Sequence, residues 1–284
     1  MASIKVIKRR IASVTTTKKI MKAMNMVAAS KLQKDKVRLE AARPFVDASR
    51  ANIDNVRHCE NAGDNIYFQQ RDVKNIAYLI ITSDRGLCGG YNTNLAEEAL
   101  RHIESSGKKA KIVAVGIKGY DYFIRHGKKV LRRFDDVLET AFYEDAERIG
   151  NYLTALYSLG KADEVYMAYT EYKSALSHIP QVVKLLPLGP EAEPKNISLC
   201  DMEYEPNVSE YLGHAIPMYI SAYIYAALLE SSTCEQAARM VSMDAATENA
   251  TEIINKLTQT YNRRRQSAIT QEISEIVGSA NSIQ

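Results

Sequence analysis

Apolar residues recur at every third and fourth position through the first part of the chain. Ile4, Ile7, Ile11, Val14, Lys18, Met21, Asn25, Ala28, Leu32, Asp35, Leu39, Ala42 and Val46 form one stripe, and ten of these thirteen are apolar. That spacing, sustained over six heptads, belongs to a helix that pairs with another helix. No glycine interrupts residues 1–62 and Pro44 is the single proline there. The pattern therefore predicts one helix of about 55 residues and about 80 Å, kinked at Pro44, which lacks a donor and clashes with the preceding turn.

The last third repeats the pattern. Asn207 followed by Glu210 is a capping-box arrangement that opens a helix, and Pro206 closes the segment before it. Residues 218–284 contain no proline and one glycine, Gly278. Ile253, Ile254, Leu257 and Tyr261, then Ile269, Ile273, Ile276 and Val277, keep stepping by three and four. A helix of about 65 residues is expected beyond Pro217, which bends or restarts it. Two such stripes at opposite ends of one chain predict an antiparallel intramolecular coiled coil.

Between them the pattern shortens to strand length. Ile76–Ile81, Lys111–Gly116 and Val165–Tyr169 are apolar runs separated by helix-like stretches at Leu95–Ile103, Tyr120–His126 and Asp145–Leu159. Strand, helix, strand, helix in this order predicts a doubly wound, Rossmann-like α/β domain with a mostly parallel sheet. Gln181–Leu188 is expected as an edge strand, because the prolines around it (Pro180, Pro187, Pro190) are tolerated there. The segments are thus 1–60 (N-terminal coiled-coil helix), 70–195 (α/β domain) and 207–284 (C-terminal coiled-coil helix).

Charge changes this picture more than overall composition does. The 284 residues carry a net charge of +3, which alone is unremarkable. Residues 1–43, however, hold 12 Lys and Arg against 2 Asp and Glu, a net of +10, so the rest of the chain is acidic. The basic helix could meet nucleic acid or an anionic membrane, but it has no aromatic residue before Phe45 to stack on bases. It suits an acidic protein surface better. Arg263, Arg264 and Arg265 would lie toward the same end of an antiparallel pair as residues 5–22. Tyr211–Leu229 is 19 residues without a formal charge, yet its four tyrosines, His214 and Pro217 make it a poor membrane span. A helix covered by protein is expected there. The opening turns alternate charge with isolated apolar residues, unlike a secretory signal.

Catalytic chemistry is sparse. The turn Ser83-Asp84-Arg85-Gly86-Leu87-Cys88-Gly89-Gly90-Tyr91-Asn92 follows the first strand, where a parallel α/β unit binds phosphates. Its glycine spacing matches neither phosphate-binding fingerprint, and Asp84 would repel a phosphate. A nucleotide-binding enzyme using Asp84–Asn92 is the competing function. Cys88 beside Arg85 could be an activated thiol, although a buried cysteine fits a glycine turn better. The four cysteines (Cys59, Cys88, Cys200, Cys234) form no Cys-x-x-Cys, and the five histidines have no metal-ligand spacing. Neither a catalytic constellation nor a metal or cofactor site is expected.

Three segments carry a resemblance. Met1–Leu32, the turn Ser83–Gly89 and Tyr261–Gly278 (YNRRRQSAITQEISEIVG) closely resemble the gamma-subunit family of the rotary ATP synthases, in order and at nearly the expected length. The resemblance implies a non-catalytic rotor shaft. Its terminal helices would stand inside a ring of alpha and beta subunits, and its foot would meet the epsilon subunit and the membrane c-ring. Proton or sodium flow would turn it at the cytoplasmic face of the plasma membrane, with membrane contact only through the complex. ATP and magnesium would bind the partner subunits, so no cofactor is implied here. By motif, Met24, Arg239, Arg265, Gln266, Thr270 and Glu272 would meet beta, and Tyr204 and Glu205 would form the foot. The small, uncharged Ile276–Ala280 end would suit a low-friction apolar collar. The inserted cysteine pair of plant-plastid members is missing, so thiol switching is not implied.

Overall fold

A computed structural model describes residues 4–57, 65–175, 177–189, 204, 205 and 207–281. Cys59, Cys200, Pro190 and Pro206 lie outside them, as do the side chains of residues 277–281. The element order is α1 (Ile4–Val56), β1 (Asn75–Ile81), α2 (Tyr91–Ser106), β2 (Lys109–Val115), α3 (Ile117–Arg125), β3 (Val130–Phe134), α4 (Val137–Thr140), α5 (Tyr143–Ser158), β4 (Glu164–Tyr172), β5 (His178–Leu186) and α6 (Val208–Asn281). The chain divides into two compact units, one from Met1–Ala28 with Met240–Gln284, the other Ala29–Arg239.

Both long helices form as the stripes predict. All thirteen stripe positions of α1 are buried or half-buried, the polar Lys18, Asn25 and Asp35 included. Pro44 lies inside α1 and Pro217 inside α6, a helix of 74 residues in all that continues past it. At the start of α6 the Asn207 side-chain oxygen accepts from the Glu210 N–H at 2.9 Å, so the cap is made as expected. In the first unit Ile7, Ala28, Met243 and Ala250 are buried, and Asn25 Nδ2 donates to the Met240 carbonyl at 2.9 Å.

In the second unit the sheet order is β3-β2-β1-β4-β5. The first four strands are parallel and β5 pairs antiparallel with β4, placing Pro180 on an edge where its missing donor costs nothing. One sheet face packs Ile76, Tyr78, Ile80 and Ile112 against Leu95, Ala99 and Ile103 of α2 and Phe123 of α3. The other face packs Leu79, Val113 and Met167 against α5, Leu39 and Ile53 of α1, and Ile216, Ile220 and Leu228 of α6. There α1 and α6 run antiparallel, with Asp35 accepting from Ser232 at 2.6 Å and Arg43 paired to Glu230. Most of Tyr211–Leu229 is covered by protein.

Candidate functional site

The turn after β1 lies at the C-terminal edge of the parallel strands, where the sequence places its one candidate ligand loop. Its geometry is set by contacts within the chain. Asp84 Oδ1 accepts from the Ile117 N–H at 3.1 Å, and Oδ2 accepts from the Asp136 N–H at 3.2 Å. The Thr82 hydroxyl accepts from the Gly119 N–H at 2.8 Å. The donors at the start of α3, the natural seat for an anion, are therefore already held by the chain's own oxygens. Gly116, at φ +85°, lets β2 turn into α3 against the Thr82 carbonyl. A phosphate here would have to displace Asp84, whose carboxyl burial already pushes above its ordinary range. This geometry counts against the nucleotide-enzyme reading.

Cys88 is no activated thiol. It is buried beside Cys234 and Tyr91, with Asn92 Nδ2 3.2 Å from its sulfur, and burial pushes its pKa up. The Cys234 thiol donates to the Thr170 carbonyl at 3.4 Å and is raised further by burial. Thiolate chemistry at neutral pH is disfavoured at both. Among the described residues no cluster of three or more His, Cys, Asp or Glu could hold a metal.

The residues expected to meet partners fall in different settings. Arg265, Gln266, Thr270 and Glu272 are exposed on α6, together with the large apolar Ile269, Ile273 and Ile276. Met24 is half-buried at the edge of the α1 stripe. Arg239 differs from these. Only 11% of its side chain is exposed, and its guanidinium is paired with Glu235 and donates to the Gly86 carbonyl at 3.2 Å. Tyr204 is half-buried with its ring 5.1 Å from that of Tyr211, and Glu205 is exposed. An open, mainly apolar cleft of about 340 Å³ runs from Glu205 past Tyr211 and His214 to Met218.

The basic helix is also two-sided. Lys5, Lys8, Arg9, Arg10, Lys19 and Lys22 are exposed. Farther along, Lys31 donates to Glu139 at 2.9 Å, Arg38 to the Thr140 carbonyl at 2.9 Å, and Arg43 pairs with Glu230. Part of the excess positive charge is thus answered inside the second unit. Sequence reasoning misses these acceptors, because Glu139, Glu230 and Glu235 have no local motif and come near α1 or the turn only through the fold.

Comparison with known proteins places the whole chain. A family model described as ATP synthase matches residues 3–283. The ATP synthase gamma chain of Alkaliphilus metalliredigens is 41% identical over 283 residues, 98% of this chain and 97% of that one. That of Desulforamulus reducens is 40% identical over the full length of both. Among solved structures, a chain of the Tetrahymena thermophila mitochondrial ATP synthase central stalk and c-ring matches with TM-score 0.63 and 25% identity, covering 80% of this chain and 99% of that one. A Euglena gracilis mitochondrial ATP synthase chain shares the fold, with TM-score 0.72 and 19% identity over 99% of this chain and 94% of that one. With its paired terminal helices, its α/β sheet and this end-to-end likeness, the chain belongs to the ATP synthase gamma-chain family.

Proposed function

We propose that this chain is the non-catalytic central shaft of a rotary ATP synthase, carrying torque between a membrane c-ring and catalytic beta subunits. The observation that carries this is the match to gamma chains from one end to the other. The exposed surface supports it physically. Ile20, Met26, Val27, Ile253, Ile269, Ile273 and Ile276 are at least 44% exposed on α1 and α6. Large apolar side chains left in water along paired helices are a surface that partners cover.

Met24, Arg239, Arg265, Gln266, Thr270 and Glu272 are the positions assigned to beta contact. Tyr204 and Glu205 are assigned to the foot that meets epsilon and the c-ring. Residues 1–60 and 207–284 serve as the two shaft helices and 70–195 as the domain beside them. ATP and magnesium are bound by the alpha and beta subunits, and proton or sodium movement through the c-ring drives the rotation. The assembly sits at the cytoplasmic face of the plasma membrane, peripheral to it, and nucleic acid has no part.

Reconstitution tests this directly. The purified chain alone should hydrolyse no ATP, and adding it to alpha and beta subunits should restore steady hydrolysis. Equal assembly and activity without the chain would remove the proposal.

A further inference from the structure

Asp84, Arg85 and Gly86 each reach a different element. Asp84 holds the start of α3 and the Asp136 N–H just before α4. Arg85 pairs at 3.1 Å with Glu139 of α4, and the same carboxylate receives Lys31 of α1 at 2.9 Å. These two cations hold the Glu139 carboxyl below its ordinary range, Lys31 through the hydrogen bond that contributes most. The Gly86 carbonyl accepts from Arg239 of α6, whose guanidinium is fixed by the buried Glu235. Arg38 of α1 also donates to the carbonyls of Thr140 and Ala141, at the other end of α4.

Backbone strain collects at the same place. Among the described residues the non-glycine positions with left-handed backbone are Leu87 (φ 64°), Asp136 (φ 59°) and Ala141 (φ 44°). One lies in the turn and two bracket α4. Such conformations persist only where surrounding contacts over-determine them.

We propose that this turn is a clasp, with Glu139 and Arg239 as its positioning residues. It fastens the C-terminal edge of the sheet to α1 through Lys31 and to α6 through Arg239. Resting on the shaft reading above, the clasp makes a turning force on the α/β domain pass to both long helices without slip. It also gives Arg239 an internal task distinct from partner contact.

Amide exchange on the full-length chain tests the clasp by itself. Glu139→Gln removes both ion pairs at a partly exposed site and should leave the fold intact. Exchange in the 85–90 turn should accelerate about two- to fivefold, the scale of one such pair, while the α2 amides stay unchanged. Arg239→Lys should loosen the turn similarly, and Glu139→Asp should recover part of the protection. Unchanged exchange at the turn in both Glu139→Gln and Arg239→Lys overturns the clasp. In the assembled enzyme, Glu139→Gln should lower the ions pumped per ATP hydrolysed below the wild-type ratio, as a weakened mechanical link would. An unchanged ratio with a loosened turn overturns the coupling role. Failure of the wild-type chain to assemble with alpha and beta would instead defeat the shaft reading and leave the exchange result standing.

Discussion

At Gly116 one missing carbon decides whether β2 can turn into α3. A Cβ there would lie 2.2 Å from the Thr82 carbonyl oxygen, on a backbone at φ +85° that side chains avoid. Gly116→Ala should therefore cost at least about 3 kcal/mol, read as a lower urea midpoint with an unchanged slope. Gly150 is a second close approach, its absent Cβ leaving room for the Ser221 hydroxyl at 2.5 Å where α5 meets α6. Asp84 acts through its oxygens. Asp84→Asn turns one acceptor into a donor facing an N–H, and should cost about 1–3 kcal/mol by the same measurement. Neither role is visible in the sequence. A glycine-rich turn carrying an aspartate looks like a ligand loop until the N–H groups it meets are known.

Along α6, Glu230 to Gln236 (ESSTCEQ) is an unbroken run of polar and small residues, and all seven are buried. Sequence patterning would put them in water. They are buried because α6 here has α1 on one side and β4 on another. Most of the polar groups survive by pairing, Glu230 with Arg43, Ser232 with Asp35, Cys234 with the Thr170 carbonyl and Glu235 with Arg239, while the buried Ser231 hydroxyl meets no hydrogen-bond partner among the described residues. Burial pushes the carboxyls of Asp35, Glu230 and Glu235 above their ordinary range. A carboxyl raised on folding adds stability that is full below its unfolded pKa, about 4, and is lost as pH rises through the folded value. Asp35→Asn keeps an acceptor for Ser232 and removes the ionisation. The wild type should thus lose stability relative to this variant as pH rises above about 4, compared by urea midpoints. Strand prediction failed for a related reason at β3. Its sequence VLRRF has two adjacent arginines and no alternation, yet it pairs with β2 as an edge, where Arg132 lies over the Phe134 and Tyr152 rings. The apolar runs of β1, β2 and β4 were legible because buried parallel strands need them. The prolines around β5 announced an edge, although the strand starts at His178, earlier than Gln181.

For the whole molecule, the two helical stripes, the α/β order and the charge split were legible because each is a long repeating pattern. What covers α6, and which acids answer α1, depends on contacts between residues over a hundred positions apart, as for Lys31 with Glu139 and Arg43 with Glu230. On the shaft reading, removing about the last dozen residues should weaken coupling without abolishing it, because most of the paired helix remains. ATP-driven rotation of the truncated assembly measures this, and complete loss of assembly would assign the end of α6 a holding role. The packing of the second unit also orders events during synthesis. The face of the sheet bearing Leu79, Val113 and Met167 is completed by Leu212, Ile216, Ile220, Ile224 and Leu228, which leave the ribosome after all five strands. Until then the nascent chain carries an uncovered apolar face, the kind of surface that aggregates or recruits chaperones. A chain ending near residue 205 should pellet on expression where the full chain stays soluble, so a ribosome stalled before α6 is made releases an insoluble product.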